Sequence, residues 1–465
     1  MVRWFIIDGK LFYQKFKSLL RMTQLLIKNF LRSKGLLFGL LLLFVTGLVS
    51  LHIGKIFLAQ QATIVEKTAN YQKENHQQNI DYNYSEIGLL LYYIRFGIVN
   101  ETPTLAGLSI GHRDIQSSVK NVNIRNLEEQ KHSTKLLNPF YQLLGNMDFS
   151  FVVIYLFPLI IIGFCFNLLS EEKEGGTWRL ILSQSENPQQ VIRTKLFIRL
   201  VSVLGTLLML LVIGKFYLNI PLDTAFAALG LMTILYILFW FALTWWVVSL
   251  QKSSAQNALL LLLTWVSLTI VIPASVNALV VNLYPVPEAY SSVVESRDGY
   301  HTKWDLPKEP TIKKFIDHYP QFAEYKHPEG QSFSWFWYFA MQQMGDDAAA
   351  AATKAMKVKL QQRNNFSQTV GYFFPSMHTQ LSLNTLSRSD ITNYLNFTNA
   401  LEKFHEKNRL YFYPRIFDNT PIADENWEHM KLESYQDKRA INWFKSLIPL
   451  AIWSFLLLIL ARRNW

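Results

Sequence analysis

Six apolar runs constrain the fold of this 465-residue chain more than any other feature of its sequence. Each run is long enough to cross roughly 30 Å of hydrocarbon at about 1.5 Å per helical residue. The sequence therefore predicts an all-α polytopic membrane protein with six transmembrane helices. The runs, TM1 to TM6, lie at residues 36–57, 149–169, 196–218, 224–249, 256–281 and 444–461.

The first run has a second interpretation, the apolar core of a cleaved secretory signal. A basic segment precedes the run, and the small residue Ala59 follows it. However, the basic segment spans residues 1–35 and the run itself is longer than a usual signal core. We therefore interpret the run as a retained helix.

Positive charge predicts the orientation of the chain. Residues 1–35, residues 170–195, Lys252 and the final pair Arg462 and Arg463 are rich in Lys and Arg, and the six spans place all four on one side. By the positive-inside rule, this side is cytoplasmic, with both termini inside the cell. These segments hold 15 basic and 5 acidic residues, a net charge of +10. The overall net charge of +11 is therefore a topology signal that gives no support to a nucleic-acid partner.

Residues 1–35 are predicted to contain an amphipathic helix along the inner membrane interface. Between residues 12 and 34, basic side chains share one narrow face while Leu, Ile and Phe cover an adjoining stripe. The basic face would contact lipid phosphates and the apolar stripe would contact acyl chains. The predicted anchor residues are Lys17, Arg21, Lys28 and Arg32.

Residues 170–195 form a punctuated segment between TM2 and TM3. Three glutamates surround Lys173, Gly175-Gly176 interrupts the helix, and Thr177 can begin a short new helix that continues through Trp178. Asn187-Pro188 then supplies a fresh helix start. The segment is predicted to contact a partner, although a plain interfacial connector is the alternative.

The stretch FNLLSEEKEGGTWRLILSQ (166–184) resembles permease subunits of type-2 (ABC-2) ABC exporters, which carry an E-(K/R)-E-x-G-T pattern before a short helix. The stretches LAGLSIGHRDI (105–115), LLNPFYQLLGNMDF (136–149) and FYPRIFDNTPI (412–422) resemble a bacterial subfamily with a large extracytoplasmic domain. Residues 185–188, Ser-Glu-Asn-Pro, depart from the family pattern of Pro-Val and a basic pair. Because of this departure, the family's docking contacts with the ATPase are not carried over to residues after Gln184.

The resemblance implies an exporter permease in a bacterial cytoplasmic membrane. A separate cytoplasmic ABC ATPase would drive it, and a second copy of the permease or a related permease would complete the transporter. ATP and magnesium would bind to the ATPase, because this sequence has no G-x-x-x-x-G-K-[ST] loop. No cofactor and no enzyme activity are expected of this chain itself. The ATPase-coupling residues implied are Glu171, Glu172, Glu174, Gly175, Gly176, Thr177, Trp178, Leu180 and Leu182.

Two insertions, residues 58–148 and 282–443, are predicted to form one mostly helical extracytoplasmic domain. The first begins with a helix that continues TM1. Glu402 and His405 stand at the Glu-x-x-His spacing of a di-metal motif, but such a site needs two of these motifs and two further carboxylates on facing helices, so we interpret them as a solvated helix face without metal. Ser376 and His378 lack the context of a hydrolase nucleophile.

Two other classes of membrane protein compete with the permease. An ion-coupled carrier is disfavoured because the middle of each apolar run has no Asp or Glu. A non-transporting signalling or mechanical protein, acting through its outer domain, would use the same coupling segment. The sequence leaves the transported substrate open.

Overall fold

The computed structural model describes residues 20–83, 85–131, 146–184 and 187–464. Within these residues, six helices are long and apolar enough to cross a membrane, which confirms the prediction of a mostly helical chain with six candidate spans. We number them the first to the sixth apolar helix: Lys34–Tyr82, Phe149–Glu174, Pro188–Tyr217, Thr224–Ser249, Ser254–Leu283 and Trp443–Asn464.

The second and fourth apolar helices form the centre of the bundle, and the other four surround them. The fourth is apolar on all sides, as expected of a helix enclosed by others, and buries the large side chains of Tyr236 and Trp240. Two π-helical turns interrupt the regular hydrogen bonding, at Val152–Leu156 in the second helix and Ser267–Val271 in the fifth. The core of the bundle therefore lies around the second and fourth helices.

The first apolar helix extends well beyond its apolar run, since its 49 residues continue through a polar stretch to Tyr82. A break at Ser33 separates it from a shorter helix over residues 20–32, the anchor helix. The first helix passes very close to the turn Thr104–Gly107, where a Cβ atom added to Gly54 would lie 1.9 Å from the carbonyl oxygen of Gly107. Only glycine fits at this crossing.

Both insertions contribute to one polar domain. The domain contains a three-stranded sheet that the sequence analysis did not predict. The strands are β1 (Phe96–Asn100), β2 (Val119–Val122) and β3 (Glu433–Tyr435), in the order β2-β1-β3. β1 pairs antiparallel with β2 and parallel with β3, which comes from the second insertion. The sheet therefore joins chain segments more than 300 residues apart.

Helices surround this sheet and enclose a second core rich in aromatic side chains. Phe315, Tyr319, Phe322, Tyr413 and Phe417 contact one another at its centre. The polar domain is therefore stabilised by a core separate from that of the bundle. Its longer helices are Ile87–Tyr93, Glu288–His301, Lys308–His318, Trp335–Gly371, Pro375–Leu386 and Ile391–Phe417.

One helix of the second insertion, Pro375–Leu386, lies inside the bundle, and we call it the wedge helix. Its Ser376 hydroxyl lies 2.9 Å from the hydroxyl of Tyr236, near the middle of the fourth apolar helix. Just before it, the carbonyl oxygen of Tyr372 accepts a hydrogen bond from Trp453, near the middle of the sixth. The turn that precedes the wedge helix therefore reaches the mid-depth of the bundle, which the sequence analysis did not predict.

Candidate coupling site

The second apolar helix ends in an elbow, two short helices joined by a glycine pair. Regular helix ends at Cys165, and Ser170–Glu174 forms one more turn before Gly175. Gly176 has a φ of +75°, a left-handed conformation that disfavours residues with a Cβ atom. The chain then continues as Thr177–Gln184, which we call the coupling helix.

Side chains of the third and fifth apolar helices hold the elbow where the second helix is interrupted. Arg199 donates a hydrogen bond to the carbonyl oxygen of Phe164, and Asn257 donates one of 3.1 Å to that of Phe166. Carbonyl groups released by a helix break need such partners, because unpaired backbone groups are costly inside a membrane. The break is therefore a supported element of the structure.

Glu172 and Glu174 each connect the elbow to a different helix. Glu172 forms an ion pair with Lys195 of the third apolar helix and accepts a hydrogen bond from the Thr177 hydroxyl. Glu174 accepts bonds of 2.9 and 2.8 Å from the backbone NH and the hydroxyl of Ser254, which begins the fifth helix. A carboxylate is stabilised at this position by the dipole of the helix that it caps.

The coupling helix itself is supported on one side only. Trp178 packs against the core of the bundle, but none of the residues in Thr177–Gln184 is buried. Leu180 is 60 % exposed and Leu182 is 51 % exposed. The helix therefore presents apolar side chains at the end of the bundle where the second, third and fifth apolar helices meet.

The nine residues predicted for this site thus lie in one elbow, with Glu171 exposed at its edge. Sequence reasoning missed the residues that support the elbow, above all Arg199, Ser254 and Asn257. They belong to other helices, and only their position near the inner ends of the predicted spans TM3 and TM5 could have indicated this role.

The predicted anchor residues lie next to the same end of the bundle. Arg21, Lys28 and Arg32 are exposed on the anchor helix, and Lys17 lies outside the described residues. Beneath the anchor helix is a cavity of about 340 Å³ that Glu171 and Lys195 also line. The anchor helix and the coupling elbow are therefore neighbours.

A buried charge cluster connects the polar domain to the bundle. Arg113, in the stretch LAGLSIGHRDI, donates hydrogen bonds of 2.8 Å to the carbonyl oxygen of Arg388 and to the Thr102 hydroxyl. Burial lowers the pKa of Arg113 to about 10, against the opposing effect of Asp437 and Asp390. The cluster joins the residues after β1 and β3 to the end of the wedge helix.

Arg439 completes this cluster. Its guanidinium lies 2.8 Å from carboxylate oxygens of both Asp390 and Asp437. Burial disfavours the charge on Asp437, but hydrogen bonds from Arg439 and Asn393 hold its pKa below the usual value. The cluster therefore links the polar domain directly to the chain that enters the sixth apolar helix.

The interpretation of Glu402 and His405 as a solvated helix face is wrong. His405 is buried, and its Nε2 lies 2.9 Å from the carbonyl oxygen of Asn123. Glu402 forms ion pairs with Lys131 and Lys357. These contacts hold the first insertion against the helix Ile391–Phe417, and among the described residues no group of three or more His, Cys, Asp or Glu side chains could hold a metal ion.

Comparison with known proteins identifies one region of the chain. Residues 289–436 match a family described as a domain of unknown function, DUF3526. This region begins just after the fifth apolar helix and ends just before the sixth, so it includes the wedge helix and β3. No curated protein and no solved structure matches the chain.

Proposed function

We propose that this chain is the membrane-spanning permease subunit of an ATP-binding cassette transporter, an exporter driven by a separate cytoplasmic ATPase. The observation that carries the proposal is the coupling helix, which exposes Leu180 and Leu182 beyond the ends of the apolar helices. Short helices with an exposed apolar face commonly bind in a groove of a partner protein.

The elbow suggests how force from the ATPase would reach the bundle. The ATPase binds ATP and magnesium and pushes on the coupling helix as its subunits close. Glu172 transmits this displacement to the third apolar helix and Glu174 to the fifth, while the second helix is continuous with the elbow. The three helices then shift together between two arrangements, as in a rigid-body transition.

The proposal includes a bacterial cytoplasmic membrane, cytoplasmic termini and a polar domain on the outer side. Exposed faces of the outer four helices would contact lipid and a second permease. Cysteine labelling tests this topology, because the native Cys165 is buried. In intact cells an impermeant maleimide should label Lys326→Cys, whereas Ser183→Cys should react only after permeabilisation. The reverse pattern would overturn the orientation.

The wedge helix gives specific support to a second function, a signalling or mechanical protein acting through its outer domain. A partner that moved the polar domain would move Ser376 against Tyr236 at the centre of the bundle. The two functions differ in what stimulates the ATPase. A small amphipathic molecule should stimulate an exporter, whereas an outer protein should stimulate the mechanical alternative.

The decisive experiment is purification of the tagged chain from its own host in mild detergent, followed by mass spectrometry of bound proteins. We expect a stoichiometric protein with a phosphate-binding loop, which the double variant Leu180→Ser/Leu182→Ser should lose. Leu306→Ser is a matched control, because Leu306 is 50 % exposed on the polar domain. Absence of such a protein from the intact wild-type complex would overturn the proposal.

A further inference from the structure

A cavity of about 140 Å³ separates the wedge helix from the start of the sixth apolar helix. The wedge helix forms one wall, with Leu381 and Ser382, and residues 440–442, Lys445 and Ser446 form the opposite wall. His378 holds the two walls together, because its Nε2 lies 2.8 Å from the carbonyl oxygen of Ser446. The cavity is therefore part of the junction between the polar domain and the bundle.

The depth of the cavity corresponds to the boundary of a bilayer. The sixth apolar helix begins at Trp443, and Lys445 and Ser446 of its first turn line the cavity. Trp443 and its neighbour Phe444 are both exposed beside it. Tryptophan is enriched where spans meet lipid headgroups, so the side of the cavity formed by Lys445 lies at headgroup level, while Tyr372 lines its deeper end.

The charges that line the cavity are of one sign. Arg388 and Lys445 contribute positive charge, and no Asp or Glu is among the described residues of the lining. Among the described residues the Lys445 ammonium has no ion-pair partner. The Arg388 guanidinium donates to the carbonyl oxygen of Arg439 and also interacts with the charges of Asp437 and Asp390. Side chains of Ser382 and Asn442 add hydrogen-bonding capacity. The site is therefore suited to an anionic group of modest size.

An apolar stripe continues from the cavity along the sixth apolar helix. Ile448 and Ile452 follow Lys445 by three and seven residues, so the three side chains share one helix face. Both isoleucines are exposed, Ile452 by 57 %. A ligand with an anionic head and a hydrocarbon tail would thus place its head in the cavity and its tail on this stripe.

We propose that this cavity binds the phosphate headgroup of an anionic phospholipid, whose acyl chains lie along Ile448 and Ile452. The phosphate pairs with Lys445 and Arg388 at the mouth of the cavity. The lipid thereby contacts both the wedge helix and the sixth apolar helix. This site does not depend on the presence of an ATPase partner.

Native mass spectrometry of the purified full chain tests the proposal. We expect the wild-type protein to retain about one phosphatidylglycerol in preference to phosphatidylcholine. Lys445→Gln should lower that retention by about tenfold or more, as expected for loss of a 1.4 kcal/mol contact. Lys215→Gln is the matched control, because Lys215 is in the last turn of the third apolar helix, at the same end of the bundle. Equal retention in all three proteins would overturn the proposal.

Two further measurements make the outcome specific. Ser382→Phe should fill the cavity and abolish retention while leaving both cations in place. Inorganic phosphate at the same concentration as the lipid should not displace it, because the phosphate ion has no contact with the apolar stripe. Displacement by phosphate, or retention in Ser382→Phe, would show that the lipid headgroup does not bind in this cavity.

Discussion

The Glu174 carboxylate accepts hydrogen bonds from both the backbone NH and the hydroxyl of Ser254. The two residues are 80 positions apart, and their contact fixes the elbow of the second apolar helix to the first turn of the fifth. The Ser170 hydroxyl lies 2.7 Å from that of Ser254, so the elbow contacts the start of the fifth helix through two of its side chains.

Glu174→Ala removes this contact and is expected to uncouple the elbow without preventing folding. Stimulation of the proposed ATPase should fall by about tenfold, within the usual range of coupling between sites. The measurement is the ATP hydrolysis rate of the purified complex in nanodiscs. Glu329→Ala, an exposed glutamate of the polar domain, is the control. A variant complex with the hydrolysis rate of the wild type would contradict a coupling role.

Gly176→Ala should strain the elbow, because alanine disfavours a φ of +75° by about 1–2 kcal/mol. We expect the variant to bind the proposed ATPase more weakly while its amount in the membrane is unchanged. Gly163→Ala is the matched control, since Gly163 lies within a helix and a Cβ atom there would meet nothing within 4 Å. Pull-down of the ATPase by each tagged variant gives the comparison, and equal recovery would argue against a required left-handed turn.

Tyr236→Phe should loosen the wedge helix. The Tyr236 hydroxyl has one hydrogen, which it donates to the carbonyl oxygen of Ile154 at 3.1 Å, so Ser376 donates to Tyr236. Loss of the Tyr236 hydroxyl leaves the Ile154 carbonyl oxygen and the Ser376 hydroxyl buried without this hydrogen-bond partner. The free energy of unfolding should therefore fall by about 1–3 kcal/mol. Thermal unfolding of the detergent-purified chain measures the effect.

Tyr290→Phe provides the control for this change, because Tyr290 is 79 % exposed. Its melting temperature should equal that of the wild type. An equally unchanged Tyr236→Phe would mean that the hydroxyl contributes nothing to the position of the wedge helix.

The stability of the polar domain should decrease as the pH falls below about 6.5. Burial, followed by the nearby Arg409, lowers the pKa of His405 well below 6.5 in the folded chain, whereas an unfolded histidine titrates near 6.5. The unfolded chain therefore binds a proton first, and stability is lost on acidification at up to about 1.4 kcal/mol per pH unit.

Chemical denaturation at pH 7.5, 6.5 and 5.5 tests this dependence. His405→Gln should flatten the profile, while His429→Gln should leave it unchanged because His429 is exposed. A profile that kept its slope in His405→Gln would assign the acid sensitivity to another group.

The sequence predicted the apolar helices because a long apolar run needs no knowledge of its neighbours. The elbow could also be predicted from local sequence, since Gly175, Gly176 and Thr177 determine where one helix ends and the next begins. The wedge helix was missed because its sequence, PSMHTQLSLNTL, is not strongly apolar. Its place in the bundle depends on contacts such as that of Ser376 with Tyr236, 140 positions away.

The charge cluster was unpredictable for the same reason. Arg113 and Arg388 are 275 residues apart in sequence, and no local sequence pattern around either one predicts their contact. His405 was misassigned because helical spacing places it beside Glu402 without revealing that Asn123 covers it. Local periodicity determines helices, whereas long-range packing determines which of their faces are buried.

The length of the first apolar helix determines how far a small rotation at one of its ends displaces the other end. Its 49 residues make one rod about 74 Å long, from Lys34 beside the anchor helix to Tyr82 in the polar domain. A tilt of about 5° at the Lys34 end would carry the Tyr82 end sideways by about 6 Å. The rod is thus a lever pivoted near Lys34, and a slight rotation there becomes a sideways displacement at Tyr82 comparable to the rise of one helical turn.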